Sequence, residues 1–251
     1  MQRLIINADD FGISREVNEA IVESFDRFMI TGTTLMVNMP FADEAVELAN
    51  TEGFNLRVGL HLNLTSGFPL TEKIRSLRIF CDKEGCFNAA FQKNTLSRLL
   101  LTTEETEAAA EEIEAQLKKY LSYGFLLRHL DSHHHVHTNA SIYKPLEPLL
   151  KKYDFKSVRL SRNIYGKISF LKAYYKRRYN YKLRRTGVMT TDYFGSYLDF
   201  KHCYEKMPQN SLTEIMVHPM YGDSGELLDT KTPMEREKEF FNSINAIYDF
   251  Y

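Results

Sequence analysis

Short apolar stretches alternate with amphipathic stretches along the whole chain, and this alternation limits the possible folds more than any other feature. It repeats about seven times, and such a series of strands and helices is typical of a parallel sheet. The alternation therefore predicts an α/β fold. The predicted strands comprise one in a histidine-rich run described below and residues 4–8, 33–39, 57–65, 157–161, 188–194 and 214–218.

The helix boundaries follow from capping residues and from the spacing of apolar side chains. Ser14 is placed to cap a first helix, and Thr102 with Glu105 forms the capping-box pattern that opens a long helix. The other predicted helices include residues 41–50, 141–153, 167–185 and 235–248.

The chain length fits one large domain or two small ones, and α/β barrels commonly reach 251 residues as a single unit. Because no repeat or low-complexity linker divides the sequence, we predict a single domain over residues 1–251. Residues 66–101 lack clear alternation. Long insertions in barrel folds are usually binding loops or lids over the carboxyl ends of the strands, which predicts an insertion or lid here.

The balance of charge argues against a polyanionic partner. The chain has 32 Lys and Arg against 33 Asp and Glu, so no overall field attracts nucleic acid or an anionic membrane. No run reaches the roughly 18 apolar residues of a membrane span, and the amino terminus lacks the features of a signal peptide. The low, odd number of cysteines, three, indicates a reducing compartment. Together these features predict a cytoplasmic protein.

Residues His129 to His137 contain five of the chain's eight histidines. Neutral imidazole is the commonest metal ligand near neutral pH, so this density predicts a metal-binding or catalytic role. If the whole run is a strand, His129, Asp131, His133, His135 and His137 share one face, because side chains alternate with a period of two. The alternative is a histidine-rich surface loop.

Polar side chains lie at the ends of six predicted strands. In a parallel barrel those ends converge on one face, which carries the active site. Two histidines with one carboxylate make an open metal site, a second carboxylate can act as general base, and another histidine can protonate a leaving group. Such a set predicts metal-assisted hydrolysis of an amide or ester. The strand-end residues are Asn7, Asp9, Asp10, His61, Asn63, Asp131, His133, Arg159, Arg162, Thr190, Thr191, Asp192 and His218.

Four segments of the chain resemble signature blocks of the YdjC-like carbohydrate deacetylase family, which includes chitooligosaccharide deacetylase. They occur in the family's order, and the histidine-rich block is the most specific of them. The resemblance implies a distorted, TIM-like (β/α) barrel and a metal-dependent deacetylase that acts on N-acetylated sugars. The segments are residues 6–12, 58–65, 129–137 and 216–219.

The resemblance also implies roles for individual residues. The metal ligands would be Asp10, His61 and His133, and the cofactor would be a divalent ion, with Mg²⁺ and Zn²⁺ both open. Asp9 resembles the catalytic base, and His218 resembles the general acid that protonates the departing amine. Arg159 would orient the base or the substrate, whereas His135 and His137 would support the ligands from behind.

Residues 167–185 are unusually basic and aromatic for this family. We interpret them as a solvated helix face with tyrosines packed inward, because no nucleic-acid-binding motif accompanies the net charge near zero. A homodimer face, or a platform for an anionic or phosphorylated sugar, is also compatible with the pattern. Two other functions stay open: a metal-dependent phosphoester or sugar-phosphate hydrolase, and a non-catalytic sugar- or nucleic-acid-binding protein that uses this helix.

Overall fold

The computed structural model describes residues 1–27, 29–164, 166 and 168–251. Over these residues it confirms the predicted α/β class. Seven strands form a parallel sheet in the order β5-β4-β3-β2-β1-β7-β6, and an eighth, β11, pairs with β1. The strands of this sheet are β1 (Arg3–Phe11), β2 (Gly32–Leu35), β3 (Val58–Leu62), β4 (His129–Ser132), β5 (Ser157–Val158), β6 (Tyr193–Ser196), β7 (Leu212–Val217) and β11 (Ile247–Tyr248).

The helices follow the strands in the predicted alternation, and a small antiparallel sheet follows β7. That sheet comprises β8 (Pro219–Tyr221), β9 (Leu227–Asp229) and β10 (Thr232–Pro233). The helices within the described residues are α1 (Arg15–Asp26), α2 (Ala42–Thr51), α3 (Glu72–Arg75), α4 (Ala90–Lys93), α5 (Thr95–Leu99), α6 (Thr103–Ser122), α7 (Ala140–Lys152), α8 (Phe170–Arg185), α9 (Tyr197–Cys203) and α10 (Met234–Ser243).

The sheet curls into a half-barrel, as the predicted distorted barrel requires. β1 lies at its centre, between β7 (Ile6 opposite Ile215) and β2 (Ala8 opposite Thr33). Most side chains of β1 are buried, because helices cover one side of a curled parallel sheet and the core fills the other. The edges β5 and β6 come together without a regular ladder. The amides of Asn163 and Ile164 donate to the carbonyl of Phe194 at 3.1 and 3.3 Å.

Both predicted caps form. The Ser14 side chain accepts a hydrogen bond from the Val17 amide, and Thr102 with Glu105 makes the reciprocal capping box of α6. The basic helix also forms, although it begins at Phe170, and the predicted first residue, Lys167, lies outside the described residues. No helix in the described part of the chain is long and apolar enough to cross a membrane.

The histidine-rich run is not one continuous strand, so the condition under which its alternate residues would share one face is not met. β4 ends at Ser132, and a 3₁₀ segment follows over His133–Thr138. His134 and His135 have φ of 52° and 55°, in the left-handed region, which breaks the alternation of an extended chain. The five residues predicted to share one face therefore point in several directions.

The predicted final helix, residues 235–248, is also too long. α10 ends at Ser243, and Asn245 adopts a left-handed φ of 50° that redirects the chain. The next residues then form β11, where Ile247 pairs with Arg3. Parallel pairing with the free part of β1 takes the place of further helical hydrogen bonds.

Residues 66–101 connect β3 to α6 through the three short helices α3, α4 and α5. Two contacts fix this segment beside the sheet. The Glu112 carboxylate of α6 accepts from the Leu70 and Thr71 amides at 3.0 and 2.8 Å, and Gln92 donates to the His134 carbonyl at 2.7 Å. The second contact places the segment next to the histidine-rich turn, and its role as a lid stays a prediction.

Candidate metal centre and catalytic residues

Three side chains from different strands meet at the carboxyl ends of the sheet. The Asp10 Oδ1 atom lies 3.1 Å from His61 Nε2 and 2.7 Å from His133 Nδ1. The three ligand atoms lie within 4.8 Å of one another. His61 is buried, whereas Asp10 and His133 keep 17% and 13% of their side-chain surface exposed, so the cluster is open on one side.

A break in the strand ladder turns the two neighbouring aspartates toward different partners. The register of β1 against β2 shifts between Ala8 and Phe11, and Asp10 has a left-handed φ of 69°. Such bulges redirect a side chain at the end of a strand. Asp9 therefore points into the buried interior, while Asp10 faces the two histidines.

His61 is held in place by a carboxylate on its far side. Its Nδ1 atom lies 2.7 Å from Asp131 Oδ1, and the Thr34 hydroxyl donates to Asp131 Oδ2 at 3.0 Å. This arrangement directs Nε2 toward Asp10, as outer carboxylates do for metal-binding histidines. Burial lowers the pKa of His61, but Asp131 and Asp10 on either side of the ring raise it to about 10.

The donor set fits a divalent cation. It offers one carboxylate oxygen and two imidazole nitrogens, with room on the exposed side for further ligands. The surrounding charge also favours a cation, because Asp10 and Asp131 both contact His61, whereas Arg159 pairs with Asp9 and Asp131 and has no contact with Asp10 among the ion pairs of the described residues. Two other groups of described residues could also hold a metal ion, but both are fully buried, whereas the group of Asp10, His61 and His133 is partly open to solvent. The buried groups are Asp9–His61–Asp131 and His129–Asp131–Glu214.

Arg159 joins the carboxylates beneath this cluster. Its two terminal nitrogens each lie 2.7 Å from an oxygen of Asp9, a bidentate pair, and Nη2 also lies 2.8 Å from Asp131. Nε donates to Glu214, and the Phe194 ring packs against the guanidinium at 4.7 Å. Burial raises the pKa of Asp9, but Arg159 outweighs that effect and holds it well below its usual range.

His218 directly follows β7 and lies next to Asp9. Its Nε2 atom lies 4.0 Å from Asp9 Oδ2, and its side chain is 42% exposed. Its amide donates to Asp229 Oδ1 at 2.8 Å, and its Nδ1 atom lies 3.7 Å from the same oxygen. Burial lowers the pKa of His218, but Asp229 and the charge of Asp9 raise it above its ordinary value.

The remaining histidines of the run surround the cluster without joining it. His137 contacts the Ser132 hydroxyl and, at 3.1 Å, the Arg159 carbonyl, while His129 contacts the Ser157 hydroxyl at 2.9 Å. His135 packs edge-on against Phe194. Burial lowers the pKa of His129, His135 and His137, so these three rings are neutral and pack around the site without carrying charge.

Some predicted strand-end residues lie outside the cluster. Asn63 caps its own loop by accepting from the Thr65 and Ser66 amides. Arg162 pairs with Asp199. Asp192 lies at the amino edge of the sheet, because it precedes β6 and accepts from the amide of Leu212, the first residue of β7, so its predicted place on the active-site face is wrong. These side chains stabilise loops at the strand ends.

Two residues of the site were missed by the sequence reasoning. Glu214, which holds Arg159, is fully buried within β7, and a lone carboxylate in an apolar strand is a signal that was available. Asp229, which holds His218, lies in the small antiparallel sheet. Nothing in its sequence context marks it, because the contact depends on the antiparallel pairing of β9 with β8, which sets Asp229 opposite Pro219.

A family model and individual relatives of known description point to the same protein family. The family model of the YdjC-like proteins matches residues 3–244. A carbohydrate deacetylase from Clostridium beijerinckii is 35% identical, covering 94% of this chain and 89% of its own. A carbohydrate deacetylase from Vibrio parahaemolyticus is 30% identical, covering 94% and 86%.

A solved structure supports the fold. A crystal structure of a proposed cellobiose-phosphate cleavage protein from Enterococcus faecalis V583 superposes with a TM-score of 0.73 at 23% identity, covering 100% of this chain and 97% of its own. Together, the family model and the curated relatives establish that this chain belongs to the YdjC-like protein family.

Proposed function

We propose that this protein is a metal-dependent hydrolase that removes the acetyl group from an N-acetylated sugar or oligosaccharide of the chitooligosaccharide type. The observation that carries the proposal is the placement of the Asp10–His61–His133 cluster beside the neighbouring pair Asp9 and His218. The curated relatives named carbohydrate deacetylases, at 30–35% identity over most of the chain, support the substrate class.

Asp10, His61 and His133 would hold the metal ion. Two imidazoles and one carboxylate suit Zn²⁺, and Mg²⁺ would add water ligands on the exposed side. Once bound, such an ion lowers the pKa of water and polarises the acetyl carbonyl. Asp131 supports this site by fixing which nitrogen of His61 faces it.

Asp9 would act as the base that accepts the proton of the attacking water. Arg159 keeps its carboxylate ionised and fixed by the bidentate pair, so the acceptor is present at neutral pH. His218, held by Asp229, would carry a proton to the sugar nitrogen as acetate leaves. The distance of 4.0 Å between its Nε2 and Asp9 Oδ2 supports the assignment of base and acid to one reaction centre.

Substitution of the base tests this assignment. Asp9→Asn should lower acetate release from N,N′-diacetylchitobiose by about 10²- to 10⁴-fold, the usual contribution of a general base. Metal content, measured by mass spectrometry, should not change, because Asp9 is not among the proposed ligands. Asp192→Asn is the matched control, since its carboxylate lies at another strand end outside the cluster.

Two results would reject the proposal. One is acetate release by Asp9→Asn at the wild-type rate, which would show that Asp9 is not the base. The other is release of phosphate from a phosphorylated sugar with no release of acetate, which would favour the phosphoester hydrolase. A non-catalytic protein would release neither product with any added divalent metal.

A further inference from the structure

A groove of about 1190 Å³ runs between α7 and α8 on the outer side of the sheet. Residues before β5 and after α8 close its far end, among them Phe155 and Val188. Its volume exceeds the usual range of small-ligand pockets, so a ligand with more than one ring fits. None of the proposed metal ligands or catalytic residues lines it.

The groove carries an excess of positive charge on a chain whose net charge is −1. Its two acidic residues are already neutralised, because Glu147 pairs with Lys182 at 2.7 Å and Asp154 pairs with Lys156. Three further cations line the groove without a carboxylate partner among the described residues: Lys151, Arg178 and Arg185. Clustered guanidinium and ammonium groups are the side chains that bind phosphate.

One wall of the groove is aromatic. The Tyr143 and Tyr179 rings pack edge-to-face with centroids 5.2 Å apart, and Lys182 lies 4.6 Å above the Tyr143 ring. Tyr179 is only 6% exposed, and its hydroxyl has no hydrogen-bond partner in the described structure. Tyr143 is as deeply buried, so the aromatic surface open to a ligand is the ring of Tyr181, which lines the groove and is 63% exposed.

We propose that the α7–α8 groove is a second binding site, which takes a phosphate ester that carries a ring, such as a sugar phosphate or a nucleotide. Arg178, with Lys151 and Arg185, binds the phosphate, and the ring lies against the exposed ring of Tyr181. Aromatic faces bind both sugar rings and nucleotide bases. The side chains of the groove therefore indicate a phosphate ester with a ring, and the titration below distinguishes the two kinds of ring. This site lies outside the proposed active site and does not depend on it.

Calorimetric titration of the full chain tests the site with glucosamine 6-phosphate and with AMP. We expect at least one of them to bind, and the one that binds identifies the source of the ring. Glucosamine and adenosine, which lack the phosphate, should bind at least about tenfold more weakly. Arg178→Ala should weaken binding of the phosphate ester by at least about tenfold.

Arg177→Ala is the matched control, because Arg177 is the exposed neighbour on the same helix and does not line the groove. It should change the affinity by less than about twofold, well below the effect of losing a direct phosphate contact. If the two variants lost affinity equally, the loss would come from the lower net positive charge of the helix and not from a direct phosphate contact, and the proposal would be wrong. If Asp10→Asn abolished binding while Arg178→Ala bound fully, the ligand would bind at the metal centre and not in the groove. If neither ester bound to the wild-type protein, the proposed site would be wrong.

Discussion

At the scale of single residues, Arg159 holds the candidate site together. Its guanidinium contacts three carboxylates on three strands, those of Asp9, Asp131 and Glu214. Buried charges are tolerated only when they are paired with good geometry, so removing this one cation would leave several buried acids without compensation. The planar fork also fixes the orientation of Asp9, which a single ammonium group cannot do.

Arg159→Lys therefore separates charge from geometry. It keeps the cation but loses the bidentate contact, and we expect acetate release to fall by at least about tenfold because the base is less well oriented. The check is kcat for acetate release, with metal content unchanged. Arg162→Lys, on the same segment but paired with Asp199, should retain most of the activity. Equal loss in both variants would contradict a positioning role for Arg159.

Residue type and position at a strand end marked Asp9, Asp10, His61, His133 and Arg159 as candidates. They did not mark Glu214 and Asp229, which hold Arg159 and His218. The aspartates, His61 and His133 were predictable because their types and positions at strand ends indicate chemistry. Asp229 was not, since its contact with His218 depends on the antiparallel pairing of β9 with β8. Outer contacts of this kind depend on tertiary structure more than on local sequence.

At the scale of elements, α10 buries an acid on its inner face. Met234, Glu237 and Phe241 are all buried, and Glu237 Oε1 has no hydrogen-bond partner in the described structure. Burial and the nearby charge of Asp229 raise the pKa of Glu237 to about 9. Below the ordinary pKa of 4.5, Glu237 is protonated in both states. Between these two values only the folded protein keeps the proton, so stability falls as pH rises through this window.

Glu237→Gln should remove this fall in stability with rising pH, because glutamine does not ionise. The free energy of unfolding of the variant should exceed that of the wild type at pH 8 by on the order of 1 kcal/mol or more, and match it more closely at pH 4.5. Denaturant unfolding at the two pH values measures the difference. Glu239→Gln, an exposed acid on the same helix, is the control. An unchanged pH dependence in Glu237→Gln would show that Glu237 ionises normally.

The elements that local signals define were predictable, and those that tertiary pairing defines were not. The caps at Ser14 and Thr102 fix α1 and α6 through contacts within a few residues. β11 forms because β1 offers an unpaired edge at Arg3, a fact that residues 243–248 do not contain. The histidine-rich run was expected to remain extended, but the left-handed residues after β4 turn it around the site.

At the scale of the whole molecule, the candidate metal centre ties together β1, β3 and the turn after β4. Strand alternation predicted the sheet, and the convergence of strand ends predicted where chemistry would collect. A ligand that binds the folded chain more tightly than the unfolded chain stabilises it by about 2.7 kcal/mol at a hundredfold excess over Kd. Because the three side chains come together only in the folded chain, a bound divalent ion should stabilise the whole domain.

Thermal unfolding of the chelator-treated protein, with and without added Zn²⁺ or Mg²⁺, measures this coupling. A gain of that size in a domain of this length should raise Tm by about 5–10 °C, and the shift should grow with metal concentration. Asp10→Asn should lose most of the shift because it replaces a charged ligand with a neutral amide. Asp192→Asn should keep it, since that carboxylate lies outside the cluster. If Asp10→Asn shifted as far as the wild type, the ions would bind elsewhere, and the Asp10–His61–His133 assignment would be wrong.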